Sequence, residues 1–453
     1  MKLSQFLPPF ASDYSGAASV LFGSGAQLLI VDPGCCTYSY VDVEESRWPQ
    51  GGLAVLSAQL RTDDTVLGAD ELLLEQLSQI AEKTQPPKIA VLGTPVPALV
   101  GMDIEGLALE AQERCGVPVV GIDTNGFETY DKGIKRAYKV ALRVAENQNQ
   151  RGDAQNDSRN RVALLGFSPF DLESQSEYDK LKASLEGQGI TCVAPFGAGC
   201  SGDGDITCAQ LSIVGSQAGL ECARKLQARY GIPFAIWSPY GQHDPQTVDD
   251  WLALAQDPYQ ALDVQEPEGQ PIQILVIGEQ LRAHSLARRL QGECPCIRPT
   301  MASFFADALA SRRLGTVCLE DEDALAALLV SRHFDAIIAD PLFLRLPEAK
   351  GVPVAFSWPH RAVSGSLYID EELAPEGKAH ADGGEEASPQ QMRPDEAEDA
   401  AHADGGEEAS PQQMRPDEAE DAAHAAGGEE VSPQQDFASY VVGELKRCFP
   451  FST

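Results

Sequence analysis

The sequence predicts an α/β protein built from three doubly wound parallel sheets, and three observations predict it. Short runs rich in Val, Ile and Leu recur along the chain; each ends in a polar or glycine-rich turn; and each turn leads into a stretch with apolar residues at helical spacing. Near-continuous apolar strands mark parallel sheets covered on both faces by helices, because neither face meets water.

The first block reads QLLIVDPG at 27–34, LAVLSAQL at 53–60, KIAVLGTP at 88–95 and PVVGIDT at 118–124. The second reads RVALLGFSP, ITCVAPFG, LSIVGS and IPFAIWSP. IQILVIGEQ, TVCLED, FDAIIADP and VPVAFSWPH form the third, making twelve strands, four to a block. Stretches such as ADELLLEQLSQIAEKT and SQAGLECARKLQARYG supply the covering helices. The apolar periodicity lapses in the polar, loop-like stretches 146–160 and 256–271, which divides the chain into Rossmann-like domains over residues 1–150, 151–262 and 263–378. A chain of 453 residues needs such a division, since single cores stop growing near roughly 250 to 300 residues.

From Ala379 the composition changes, and AHADGGEEASPQQMRPDEAEDA recurs with a period of 22 residues that aligns His380, His402 and His424. Residues 379–435 are almost without large apolar side chains, so they bury too little surface to offset the entropy lost on ordering, and disorder is expected. The repeat histidines are spaced too widely for a preformed metal site. In the closing segment 436–453, Phe437, Val441 and Leu445 share one helical face, which predicts a helix that docks back on a domain.

The formal charge is −34, of which −14 falls on residues 379–435, leaving −20 on the rest. That field repels nucleic-acid phosphates and anionic lipid heads, so nucleic acid is excluded as a partner. No apolar run approaches the roughly 18 residues of a membrane span, and the first residues, MKLSQFLPPFASDYSG, lack a secretory pattern, so a cytoplasmic protein is expected.

Eleven cysteines are many for a reducing compartment, and the most informative pair stands in IVDPGCCTYSY. There a buried strand ends in a Pro-Gly turn that presents Cys35 and Cys36 ahead of Tyr38 and Tyr40. Residues at a strand's carboxyl end face the crevice where doubly wound sheets bind cofactors. Thiolates are the ligands of iron-sulfur clusters, and a [4Fe-4S] cluster takes four. Two per chain is half that number, so a dimer placing both cysteines of each subunit about a two-fold axis completes the set. Two small buried residues in a tight loop is the competing reading. Cys200 and Cys208 flank a flexible loop, and Cys294 and Cys296 form a C-P-C turn, but neither has a matching second pair at zinc spacing. Cys115, Cys192, Cys222 and Cys318 are expected in the core. No GxxxxGK[ST] segment exists, so any ATP requirement comes from a partner.

Taken in order, PPFASDYSGAASVLFG, the strand with GCC, LSAQLRTDDTVLGADELL, KIAVLGTPVPALVGMD and PVVGIDTNGFETYDKG resemble the amino-terminal domain of nitrogenase component 1 proteins. Gly34 with Cys35, Asp64 to Gly68, Thr94, and Gly101 with Asp103 carry the match. It continues through RVALLGFSPFDL, RYGIPFAIWSPYG, QILVIGEQLRAHSLARRL, FDAIIADP and PHRAVSG, so it spans about residues 5 to 368. The resemblance implies a multielectron reductase with an interfacial iron-sulfur cluster, fed by a separate ATP-dependent reductase resembling the nitrogenase iron protein. It implies further that Cys35 and Cys36 ligate the cluster, that Tyr38 helps shield it, and that the partner is an identical or related subunit.

The departures limit what carries over. Of the family's three separated cluster cysteines only the middle one is kept, as Cys35, with Cys36 added; the other two positions fall near Ser12 and Pro95. A [4Fe-4S] centre therefore suits the ligand supply better than an eight-iron cluster. The cysteine that anchors the family's large active-site cofactor falls near Gly215 or Ser216, and its histidine within two residues of His360, a candidate catalytic residue as ligand, proton donor or substrate contact. Dinitrogen is not the expected substrate. The reading is an electron-transferring oxidoreductase acting on a small molecule or cofactor bound between the domains, with two alternatives: a non-catalytic scaffold on which a metallocofactor is assembled or carried, and a small-molecule binding protein that has lost redox work.

Overall fold

The computed structural model describes residues 4–7, 9–48, 54–150, 160–196, 206–241, 245, 247–267, 269–364 and 433–449. By contact, residues 1–379 with 433–453 form one compact unit and residues 380–432 another, and the acidic repeats lie outside the described residues.

The chain opens with α1 (Asp13–Leu21), β1 (Gln27–Val31) and a short α2 (Cys35–Tyr38) that runs into a π-helical turn, Ser39–Glu44. β2 (Ala54–Ser57), α3 (Thr62–Leu67), α4 (Asp70–Thr84) and β3 (Ile89–Gly93) follow. Then come α5 (Pro95–Val100), α6 (Ile104–Cys115), β4 (Val119–Ile122) and α7 (Tyr130–Gln150). All pairings are parallel, in the order β2-β1-β3-β4. Every residue of β1 and β3 is buried, which is why these strands read as unbroken apolar runs.

The second sheet uses β5 (Arg161–Leu165), α8 (Gln175–Gly187), β6 (Thr191–Val193), β7 (Leu211–Val214), α9 (Gln217–Tyr230) and β8 (Phe234–Ile236). It repeats the same topology, β6-β5-β7-β8. After α10 (Val248–Leu254), the third sheet takes β9 (Ile272–Ile277), α11 (Gln280–Glu293), β10 (Ile297–Ser303), α12 (Ala308–Leu314), β11 (Val317–Cys318) and α13 (Glu322–Ser331). β12 (Ala336–Ala339), β13 (Val354–Ser357), α14 (Arg361–Ser364) and the terminal α15 (Pro433–Cys448) complete the chain. This sheet is ordered β11-β10-β9-β12-β13. In all three, the strand order reverses at the sheet's first strand, and such a switch point opens a crevice at the carboxyl ends.

The third sheet has five strands where four were expected, because IRPTMAS is a strand despite its proline. β11 pairs only with Ala302 and Ser303, so the rest of β10 has a free edge on that side, where a residue without an N–H is tolerated. α7 runs to Gln150, into the stretch expected to be a loop. The expected docking of the last helix is seen: Val441 and Leu445 of α15 are fully buried in one cluster with Leu286 and Leu290 of α11, and Phe437 packs against it.

α1 and α7 cross with almost no side-chain spacing. Gly16 and Gly133 make this possible, since a Cβ on Gly133 would collide with the backbone carbonyl of Asp13, and one on Gly16 with that of Tyr130. The Asp13 carboxylate then accepts from the backbone N–H groups of Asn125 (2.9 Å) and Gly126 (2.6 Å) and pairs with Arg136. This crossing seats Tyr14 beside α2. Among the described residues, no helix is long and apolar enough to cross a membrane.

Candidate functional site

Cys35 and Cys36 open α2 at the carboxyl end of β1, the switch strand of the first sheet. Gly34 turns the chain with φ 116°, a left-handed value that a side chain would strain, while Ser57 Oγ lies 3.9 Å from where a Cβ would stand. Asp32, fully buried, organises the turn. Its Oδ2 accepts from Thr37 N (2.8 Å), and its Oδ1 from Thr37 Oγ1 (3.0 Å) and Ser57 Oγ (2.6 Å). Across the switch point, the Thr94 hydroxyl donates to Val31 O (2.7 Å) and the Thr124 hydroxyl to Gly93 O (2.7 Å), so the motif residues around the site act as ties between strand ends.

The two sulfurs lie 4.0 Å apart, and with an oxygen of Asp32 they form a group whose ligand atoms are within 4.8 Å of one another. The Asp32 oxygens are already engaged three times, so the donors left for a metal are the thiols. Cys35 is exposed and Cys36 half-buried. Burial, then the neighbouring Cys35 sulfur and the Asp32 charge, push the Cys36 thiol up to about 12, against a hydrogen bond with Tyr14. Ser12 in turn bonds Tyr14. The positions where the resemblance places the other two cysteines therefore border this turn on one side, at Ser12, and begin α5 on the other, at Pro95; neither carries a thiol.

Tyr38 is 65 % exposed. Exposed apolar side chains also stand in the three other loops at this end of the sheet: Val66 and Leu67 (77 % and 85 % exposed) on α3, Leu99 and Val100 on α5, and Phe127 after β4. α3 and α5 pack side by side. Exposed large side chains gathered on one edge mark a surface that a partner covers.

His360 sits elsewhere, after β13, where the carboxyl ends of the second and third sheets meet. It is buried, stacked on Phe305 at 5.1 Å and near Tyr130 at 6.2 Å, and its backbone N–H donates to Asp340 (2.8 Å). Neither ring nitrogen has a hydrogen-bond partner among the described residues. Burial and then the Arg282 charge push it down to about 3, so the ring is neutral. Asp171, beside it, accepts from the Tyr130 hydroxyl; burial and then the Glu279 charge push it up to about 8. Arg282 is held by Glu177 (2.8 Å) and Glu173 (3.2 Å).

This junction is filled. Its cavity, bounded by Asp171, Glu279, Arg282, Trp358 and His360, measures about 10 Å³, the threshold for a single water. Trp358 lies so close to Gly278 that even a Cβ there would come within 3.0 Å of its ring. With Ser216 in place of a thiol and no room beside His360, a large multi-iron cofactor of the kind the resemblance implies does not fit, and the expected substrate crevice is closed. The larger space, about 540 Å³, lies past β8 between α10 and α11, lined among others by Trp237, Tyr240, Trp251, Arg288, Arg289 and Gln291. Sequence reading missed it because the lining comes from segments some fifty residues apart, each unremarkable alone. It also missed Asp32, although an Asp two residues before a glycine turn is a signal for such a tie.

Cys208, expected on a flexible loop, is buried in a 3-10 turn, while Cys200 lies outside the described residues. Cys222 is in the core as expected, Cys115 and Cys192 are half-buried, and Cys318 is exposed at the edge strand β11 rather than buried.

The family model for nitrogenase component 1 type oxidoreductases matches residues 13–255, more than half of the chain. Similar curated proteins include the nitrogenase iron-molybdenum cofactor biosynthesis protein NifE of Sinorhizobium fredii, 34% identical over 41% of this chain and 37% of that protein. The NifE proteins of Klebsiella pneumoniae (26% identical, 41% and 42% covered) and Clostridium pasteurianum (27% identical, 51% and 50% covered) are similar as well. The matches thus span half or less of these relatives' length. A solved structure of nitrogenase Cp1 at pH 5 aligns with TM-score 0.48 and 16% identity over 68% of this chain and 66% of that one.

Proposed function

This chain belongs to the nitrogenase component 1 type oxidoreductases, and we propose that within them it is a cytoplasmic cluster-bearing subunit in which Cys35 and Cys36 hold one [4Fe-4S] centre jointly with a second subunit, identical or related. One observation carries the reading: two thiols 4.0 Å apart stand on a single turn at a switch point, beside a surface of exposed apolar side chains. The donor set fits half of such a cluster, and the apolar surface is what a chain supplying the other half would cover.

A bound centre of this type supplies one-electron transfer. The chain's residues prepare for it. Asp32 fixes the turn so that both sulfurs leave the same helical start, Tyr14 holds the Cys36 thiol in place, and the thiol proton is released as metal binds. An iron-protein-like, ATP-dependent reductase is the electron donor in this reading, and a small molecule is the acceptor. The acceptor's place is the cavity of about 540 Å³ rather than the closed junction, where His360 is limited to exchanging a proton with one water. The three sheets serve as three domains over residues 1–150, 151–262 and 263–378.

The second reading, a non-catalytic scaffold that assembles or carries a metallocofactor, is favoured by the similar proteins being named for cofactor biosynthesis. Transient holding at the surface thiols is compatible with it; tenancy at the junction is not.

Anaerobic purification with iron, sulfide and spin-resonance analysis tests the cluster: about one [4Fe-4S] per dimer is expected, and none in the Cys35→Ala/Cys36→Ala variant. Iron that survives the double substitution would show that the ligands are elsewhere. Electron transfer from the cluster to a small acceptor, present or absent under single-turnover conditions, separates the reductase from the scaffold.

A further inference from the structure

The C-P-C turn between α11 and β10 lies apart from the cluster thiols, although its Pro295 lines the larger cavity. Cys294 is the C-cap of α11, its N–H donating to Leu290 O (2.9 Å), and the turn is closed by Ile297 N donating to Cys294 O (3.0 Å). Pro295 stands at the position of such a turn where a fixed φ is favoured, so the backbone that carries the two sulfurs is rigid before any chemistry occurs. The Sγ atoms are 3.0 Å apart, against 4.0 Å for Cys35 and Cys36. A disulfide needs about 2.05 Å, so closure asks for a sulfur movement of roughly 1 Å. Cys294 is 4 % exposed and lies in the cluster that includes Val441 and Leu445 of α15; Cys296 is half-buried at the edge of the same cluster.

We propose that Cys294 and Cys296 are a redox-active dithiol that closes reversibly to an intramolecular disulfide by exchange with a small-molecule disulfide. Cys296, the accessible sulfur, attacks the small disulfide; a mixed disulfide forms and one small thiol leaves. Cys294 then attacks the Cys296 sulfur, the S–S bond between them forms, and the second small thiol leaves. Two electrons pass from the cysteine pair to the small disulfide, and the two cysteine protons end on the two released thiols. Burial and the adjacent Cys294 push the Cys296 thiol up to about 12, against the pull of Lys446 on α15, so the exchange is slow near neutrality and the pair acts through its equilibrium position rather than as a fast catalyst. The oxidised and reduced forms differ directly beneath α15, the helix through which the chain's last segment joins the third sheet.

The full-length protein is equilibrated anaerobically in mixtures of reduced and oxidised glutathione, quenched in acid, alkylated and digested with trypsin. The fragment Leu290–Arg312 contains these two cysteines and no other, because the bond before Pro299 resists cleavage. Closure leaves that fragment without alkyl groups and two hydrogens lighter than the free dithiol, whereas the open pair carries two alkyl groups. Because the folded turn has already paired the sulfurs, oxidation is expected at a glutathione ratio at least about tenfold more reducing in the native protein than in the same protein in urea. A Cys294→Ser variant, checked for native circular dichroism, should stop at one glutathionyl group on Cys296. A native fragment that carries glutathionyl groups without losing two hydrogens overturns the proposal. So does one that stays unmodified while exposed Cys318 reacts, or a ratio equal to or less reducing than that in urea.

Discussion

Replacing one helical glycine tests the packing that seats the candidate site. Gly133→Ala in α7 would place a Cβ 2.5 Å from the carbonyl carbon of Asp13 and 2.9 Å from its Cα, closer still to its oxygen. Helix propensity alone favours the alanine by about 1 kcal/mol. Against this, α1 must move away by more than an ångström, and overpacking of this kind costs about 1 to 3 kcal/mol. The move also stretches the bonds from Asn125 N and Gly126 N to the Asp13 carboxylate, each worth about 1.5 to 3 kcal/mol as a hydrogen bond to a charged group. The net expectation is a loss of about 2 to 4 kcal/mol, which for the compact unit of residues 1–379 and 433–453 lowers its melting temperature by roughly 2 to 5 °C. Gly443→Ala in α15 is the control: nothing lies within 4 Å of its Cβ position and the residue is exposed, so the same substitution should raise stability by about 1 kcal/mol at most. Scanning calorimetry of the two metal-free variants decides. If Gly133→Ala melts at or above the parent temperature, the close crossing of α1 and α7 is wrong, and with it the placement of Tyr14 against Cys36.

Other expectations follow from the same geometry. Asp32→Ala removes three hydrogen bonds from the turn and should weaken iron retention against a chelator by about 10- to 100-fold, while leaving both thiols; unchanged retention would refute the organising role. His360 and His284 are pushed down by burial to about 3 and about 4, so both are neutral when folded and take up protons on unfolding. Stability should therefore fall as pH drops below about 6.5, by up to about 1.4 kcal/mol per pH unit per histidine, and His360→Phe should flatten that fall in a urea titration series. Asp171 has the opposite sign. Raised to about 8, it contributes stability below the ordinary carboxylate pKa that is lost as pH rises through 8, so Asp171→Asn should gain on the parent between pH 4 and 8 and no further above it. A constant difference across that range would mean that the carboxyl is ionised in the folded protein.

Strands were legible because parallel sheets hide both faces, and that demand leaves a one-dimensional trace. QLLIV and IAVLG are fully buried, and both were read as strands. IRPTMAS was not, since the proline and the arginine that disqualify it as a central strand are admitted only by the shortness of β11. The pair Cys35 and Cys36 was legible as donor chemistry on a turn. Its apolar surroundings were not, because Val66, Leu67, Leu99 and Phe127 belong to loops that only the strand order brings together.

The sequence by itself determined twelve of the thirteen strands among the described residues, the family, the position of the thiols after the first strand and the absence of a P-loop, since each follows from local pattern. Only the tertiary structure decided where there is room. Whether the junction beside His360 is open depends on Trp358, Phe305, Tyr130 and Arg282 arriving from four separate stretches and filling one volume. Free space is a property of how distant surfaces meet, and no local pattern of residues encodes it.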